Sequence, residues 1–136
     1  MNHPIRRILL AALSAGLLAL PAAVHAAPDT TAPHITEVED SPDPFTPNDD
    51  GKRDQTTIHW TIDERSLMAL KIFTKSGTML RDLMREHLAK GDWKLAWGGR
   101  DGSGHVLPSG TYVYKLRAED NAGNRRVVKG EVTLRR

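Results

Sequence analysis

Three groups of residues in this 136-residue chain have types and spacings that could do chemistry. Residues 97–112, WGGRDGSGHVLPSGTY, set five glycines around Asp101 between Trp97 and Tyr112. Such glycine clusters cradle phosphate when a helix follows, or hold Ca²⁺ when acids alternate along the loop. Residues 47–54, PNDDGKRD, place Asn48, Asp50 and Asp54 around Gly51. These are oxygen donors at a spacing like that of calcium loops. Lys52 and Arg53 lie inside the same loop and can pair with its acids. The competing reading is a tight turn satisfied by Asn48 and Asp50, with Asp54 opening the next strand. The third group is the histidines His34, His59, His87 and His105, which show no H-x-H or H-x-x-x-H pair and read as solvated surface residues.

Catalytic constellations find no support. Ser103 lies in DGSGH rather than G-x-S-x-G, and no serine is followed by lysine three residues on. Asp63-Glu64 and Glu119-Asp120 fall at turns, where paired acids read as solvated caps rather than a catalytic dyad. The aromatics Trp60, Trp93, Trp97, Tyr112 and Tyr114 would form a carbohydrate-stacking platform if they faced water. Each lies in phase with Ile or Leu on its own strand, so the pattern predicts inward packing. Trp97 and Tyr112, at strand ends, are expected to be half exposed with their polar tips bonded to the loop. The sequence therefore predicts no enzyme and no catalytic residues. It predicts no cofactor either, with Ca²⁺ at Asn48, Asp50 and Asp54 as the one metal candidate.

The elements around these residues are short strands. HITEVE reads as an edge strand, followed by the loop SPDPFTPNDDGKRD with its three prolines. TTIHWTID alternates with Ile58, Trp60 and Ile62 on one face. LMALKIFT turns Met68, Leu70 and Ile72 inward. TMLRDLMREHL spaces its apolar residues as well for a helix as for a strand, but every neighbour is a strand, so 78–84 is taken as a hairpin partner. DWKLAW aligns Trp93, Leu95 and Trp97, TYVYKLRAED aligns Tyr112, Tyr114 and Leu116, and RVVKGEVTLRR aligns Val132 and Leu134. About seven such strands with glycine-rich turns describe an all-β, two-sheet sandwich. With strands on both sides, residues 97–112 lack the helix a phosphate loop needs, and Ser103 and His105 break the calcium pattern. The stretch reads as a bend, with Gly102 and Gly104 supplying positive φ and Asp101 bonding backbone N–H groups.

Composition sets the compartment. MNHPIRR followed by the uncharged ILLAALSAGLLALPAAV and Val24-His25-Ala26 has the form of a secretory signal peptide cut after Ala26. The chain then stays outside the membrane, in the periplasm or outside the cell. The 19 basic residues exceed the 17 acidic ones only through Arg6 and Arg7, so residues 27–136 carry no net charge. That removes the case for nucleic acid. Charge is uneven along the chain: residues 27–54 hold eight acids against two bases, and residues 55–136 hold 15 bases against nine acids. There is no cysteine, so the core alone must hold the fold.

Trp97, Gly99, Asp101, Gly104, Pro108, Gly110, Tyr112, Tyr114 and Leu116 carry a pattern that resembles the immunoglobulin-like domain of the flagellar hook-capping protein FlgD, found in many secreted bacterial proteins. FTPNDDGKRDQTTIHWTI, IFTKSGTMLRDL and RAEDNAGN are similar to the opening segment, strand pair and closing turn of such modules. Lys52-Arg53 departs from the small or Asn residues usual there. The resemblance runs from about Ser41 to the end, with residues 27–40 as a lead-in and possible edge strand. It implies an immunoglobulin/fibronectin-III-like β-sandwich without chemistry of its own. The expected role is to bind or scaffold a protein or other envelope component. The alternatives are a carbohydrate- or cell-wall-binding accessory module and a flagellum-related assembly factor.

Overall fold

The computed structural model describes residues 27–136, and the signal-peptide reading of residues 1–26 lies outside them. Seven strands form: β1 (Ile35–Ser41), β2 (Thr56–Ile62), β3 (Ser66–Thr74), β4 (Met79–Leu88), β5 (Gly91–Trp97), β6 (Gly110–Glu119) and β7 (Arg125–Leu134). They make two antiparallel sheets, of order β1-β2-β5 and β4-β3-β6-β7. The inner faces meet in one core of Ile58, Trp60, Ile62, Met68, Leu70, Ile72, Tyr114, Leu116, Val132 and Leu134, all nearly free of solvent. The alternation predicted for β2, β3, β6 and β7 is the alternation seen.

Strand β4 shows why its sequence reads ambiguously. Its register against β3 slips twice, once between Leu70 and Lys71 and once between Ile72 and Phe73, leaving Leu83 and Leu80 without a direct partner. Each bulge inserts one residue and shifts the strand's phase. Leu80, Leu83 and Met84 therefore all pack against the core. A strand bulged twice acquires apolar spacings of three and one, which imitate a helix.

The lead-in is built into the sandwich. β1 pairs with β2, so sheet pairing begins at Ile35. His34 N–H donates to Asp63 Oδ1 at 2.7 Å, and Arg126 Nε to the Pro33 carbonyl at 3.2 Å. Phe45, inside the proline-rich loop, is fully buried and bridges Leu134 in parallel. Its N–H donates to Thr133 O at 3.0 Å and its carbonyl accepts Arg135 N–H at 2.9 Å. Breaker residues on both sides hide this core anchor from a periodicity reading.

Candidate functional site

The glycine-rich stretch carries the chain from β5 in one sheet to β6 in the other. It folds back on itself through the Arg100–Val106 bridge and the Leu107 N–H to Gly99 O bond at 2.9 Å. Asp101 Oδ1 accepts the N–H groups of Ser103 at 2.9 Å and His105 at 3.0 Å. The His105 N–H bond is the main cause holding the Asp101 carboxyl below its usual range. Gly102 N–H donates to Leu80 O at 3.0 Å, hooking the loop onto the bulged β4. Positive φ falls at Gly99 and Gly104, not at Gly102. Gly99 also has no room for a side chain: a Cβ there would lie 2.7 Å from Leu134 Cδ1 and 3.2 Å from Phe45 and Pro47.

Trp97 and Tyr112 differ from expectation in one respect. Both are buried rather than half exposed. Their polar tips do bond the loop backbone, Trp97 Nε1 to Arg100 O at 3.0 Å and Tyr112 Oη to Pro108 O at 2.6 Å. The Trp97 ring lies 5.5 Å from Phe45 and 5.8 Å from Tyr112, centroid to centroid. Phe45 supplies the cover that the sequence reading lacked. Trp93 departs in the opposite direction. It faces the core side opposite Trp60, but β5 is an edge strand, and the indole is only half-buried, with Nε1 bonded to Ala89 O at 2.8 Å.

The calcium candidates are brought together in one turn. Asp54 Oδ1 accepts Asn48 N–H at 3.1 Å and Oδ2 accepts Gly51 N–H at 2.7 Å. Asn48 Oδ1 accepts Asp50 N–H at 3.2 Å, and Asp50 Oδ1 accepts Lys52 N–H at 2.7 Å. Partial desolvation works to raise the Asp54 carboxyl, but the Gly51 and Asn48 N–H groups outweigh it and hold it below its usual range. Side-chain oxygens of all three residues thus accept backbone N–H groups of the turn.

Two acidic groupings have no signal in the linear sequence. Asp29, Glu64 and Asp120 come from the lead-in, the β2–β3 turn and the β6–β7 turn, and their carboxylate oxygens lie within 4.8 Å of one another. Desolvation, with Asp120 and Asp29 nearby, raises the Glu64 carboxyl. Asp120 is buried rather than a solvated cap, and it accepts from Ala122 and Asn124. Asp40 of β1 lies under the opposite sheet, where Tyr114 Oη donates to its Oδ1 at 2.8 Å and its Oδ2 has no partner. Burial raises both groups, Asp40 further through the neighbouring Asp43 and Glu39 charges.

A family model described as the CHU_C Type IX secretion signal domain matches residues 40–134, most of the chain. The chain belongs to this family. The family's description points to an exported protein. Among solved structures the CHU_C domain is similar to FlgD from P. aeruginosa, with TM-score 0.51 and 19% identity over 60% of this chain and 63% of that one. That likeness shows the immunoglobulin-like fold anticipated from the Trp97–Leu116 pattern. Further matches are PorZ, described as an essential surface component of the type IX secretion system of Porphyromonas gingivalis (TM-score 0.41, 19% identity, 74% of this chain and 12% of that one), and CopC from Methylosinus trichosporium OB3b (TM-score 0.42, 16% identity, 75% and 94%). The CHU_C domain spans less than two thirds of the FlgD chain it matches. No curated protein matches it.

Proposed function

We propose that this chain is an exported, non-catalytic immunoglobulin-like module that docks onto another protein at the cell envelope, in the periplasm or outside the cell, once residues 1–26 are removed. A secretion signal acts by being bound, which supports a protein partner over a small-molecule substrate.

The observation that carries the reading is the edge of β5, which pairs with no further strand among the described residues. This strand ends its sheet and keeps an unbroken register with β2 from Trp97 to Gly91. It has no proline and a single lysine, so it lacks most of the devices that blunt an exposed edge. The other edges are guarded. β4 is bulged twice, β1 shifts register between Thr36 and Glu39, and the end of β7 is bridged to Phe45. A partner segment added beside β5 gains main-chain hydrogen bonds, while half-buried Trp93 and Leu95 offer side-chain selectivity.

Photo-crosslinking in envelope fractions tests this. A photoreactive residue at Lys94 on β5 should capture a defined protein, and one at Glu131 on β7 should not. Capture from position 131 with none from position 94 rejects the β5 edge.

A further inference from the structure

The edge of β5 carries a sequence that complements itself. Asp92, Lys94 and Ala96 are exposed on its outer side, while Trp93 and Leu95 lie half-buried on the inner side. Asp92 and Lys94 therefore stand on one face, two residues apart, on the last strand of the sheet. Among the described residues neither takes part in an ion pair. Lys94 is opposite His59 of β2, and Glu39 lies one strand further, on β1. Asp92 is opposite Thr61, whose hydroxyl it accepts at 2.6 Å and shares with Glu37 at 3.1 Å, so its surroundings are acidic.

An antiparallel strand laid along this edge by a two-fold axis meets the same sequence reversed. Centring the axis on Lys94 opposes that lysine to itself, and centring it on Asp92 opposes the acid to itself; like charges so placed are destabilising. Centring it on Leu95 sets Lys94 against Ala96 and Asp92 against Gly98, which leaves both charges unpaired. Centring it on Trp93 sets Asp92 of each copy against Lys94 of the other and brings the two Trp93 side chains together on the inner side. Leu95 then falls opposite Gly91, where no atom lies within 4 Å of the place a Cβ would take. Of these registers, only the Trp93-centred one satisfies charge, aromatic contact and volume together.

We propose that the edge of β5 is taken by β5 of a second copy of this chain, antiparallel and centred on Trp93, so that the two β1-β2-β5 sheets continue into one another. The proposal rests on the same openness of β5 to strand addition as the docking reading. It names the second copy as the occupant until a partner segment displaces it. Pairing along one short strand buries little surface, so the dimer is weak and depends on concentration. That weakness keeps the edge exchangeable while sparing it from open-ended aggregation, because a two-fold contact closes on itself.

Sedimentation equilibrium of the purified exported chain at low salt should show a monomer–dimer equilibrium that weakens as salt rises, since exposed charge pairs are screened. Lys94→Asp sets acid against acid in both pairs and should raise the dimer Kd about tenfold or more. Asp92→Lys should do the same with lysine against lysine. Combining the two restores opposite charges in exchanged places and should return Kd to within about threefold of wild type. Both side chains are exposed, so circular dichroism should show each variant folded. The chain has no cysteine, so one introduced thiol reports the register. Trp93→Cys should form an intermolecular disulfide on mild oxidation, because its Cα atoms lie about 4.5–5.5 Å apart across the axis. Leu95→Cys should not, because its copies lie about 13 Å apart. The charge series decides alone if Trp93→Cys loses the fold. The proposal is overturned if the chain stays monomeric up to about 1 mM at low salt, or if Lys94→Asp leaves Kd unchanged. It is equally overturned if the combined variant fails to recover, or if Leu95→Cys crosslinks in preference to Trp93→Cys. A monomeric chain whose position 94 still captures a different protein sinks this proposal and keeps the docking reading. A dimeric chain whose position 94 captures only itself does the reverse.

Discussion

Gly130 is the position at which a single methyl group should do the most damage. It lies opposite Tyr114 in the β6–β7 ladder, and a Cβ there would fall inside the van der Waals envelope of Tyr114 Cζ, Oη and Cε2. The ring has nowhere to retreat. Tyr114 is buried, and its hydroxyl is tied across the sandwich to Asp40. Forcing extra volume into a packed core costs roughly 1–3 kcal/mol. If the ring swings away, it abandons a hydrogen bond to a half-buried carboxylate, worth about 1–3 kcal/mol. Alanine returns about 0.5–1 kcal/mol over glycine within a strand. Gly130→Ala should therefore destabilise by roughly 1–2.5 kcal/mol, a fall in Tm of about 5–15 °C for a domain of this size. Thermal and urea unfolding measure it. In a Tyr114→Ala background the same change should be nearly neutral, giving a coupling above about 1 kcal/mol. The reasoning is refuted if Gly130→Ala lies within about 0.5 kcal/mol of wild type, or if its cost is the same with Tyr114 removed.

Asp40→Asn should raise Tm at neutral pH and leave it unchanged at pH 3. A carboxyl whose folded pKa is raised supports the fold while protonated and loses that support as pH climbs through the raised value. Thermal scans across pH check it, and an equal shift at both pH values would sink it. Trp97→Ala should cost about 3–5 kcal/mol and His105→Ala under about 0.5 kcal/mol, because one ring is enclosed by Phe45 and Tyr112 and the other is exposed. Reversal of that order in urea unfolding would make the loop something other than a structural bend. Millimolar Ca²⁺ should leave the melting curve where a chelator leaves it, since the Asp54 oxygens already serve N–H groups; a rise with Ca²⁺ would show native-state binding. Exported protein should begin at Ala27, and intact mass retaining residues 1–26 would reject the cleavage site.

The sandwich was legible because most strands keep strict alternation, as with Ile58, Trp60 and Ile62. It blurred at β4, where two bulges break the period, and at Phe45, where prolines mask a core residue. The calcium candidates show a limit of another kind. A turn aspartate accepting backbone N–H groups and an aspartate ligating a cation both need an oxygen donor beside glycine. Composition cannot separate them, because the difference lies in where the lone pairs point. Asp54 and Asp101 point theirs at N–H groups. Asp63 and Asp120 do the same with His34, Ala122 and Asn124. The cross-strand row of Lys71, Lys115 and Lys129 on β3, β6 and β7 was invisible for a simpler reason, since register joins residues that lie far apart in sequence.

Charge asymmetry changes meaning once the chain is folded. Along the sequence it is an acidic front and a basic body; in the sandwich it becomes two outer faces. Glu37 and Asp92 flank the Thr61 hydroxyl at 3.1 and 2.6 Å on the three-stranded sheet, with Glu39 beside them. The lysine row occupies the opposite sheet. A chain whose residues 27–136 sum to zero charge thus carries an acidic cluster on one sheet and a lysine row, ending at Asp82 of β4, on the other. Among the loops, Asp54, Asp101 and Asp120 accept N–H groups of their own turns. The edge of β5, on which the proposed docking rests, belongs to the sheet with the acidic cluster and not to the sheet with the lysine row.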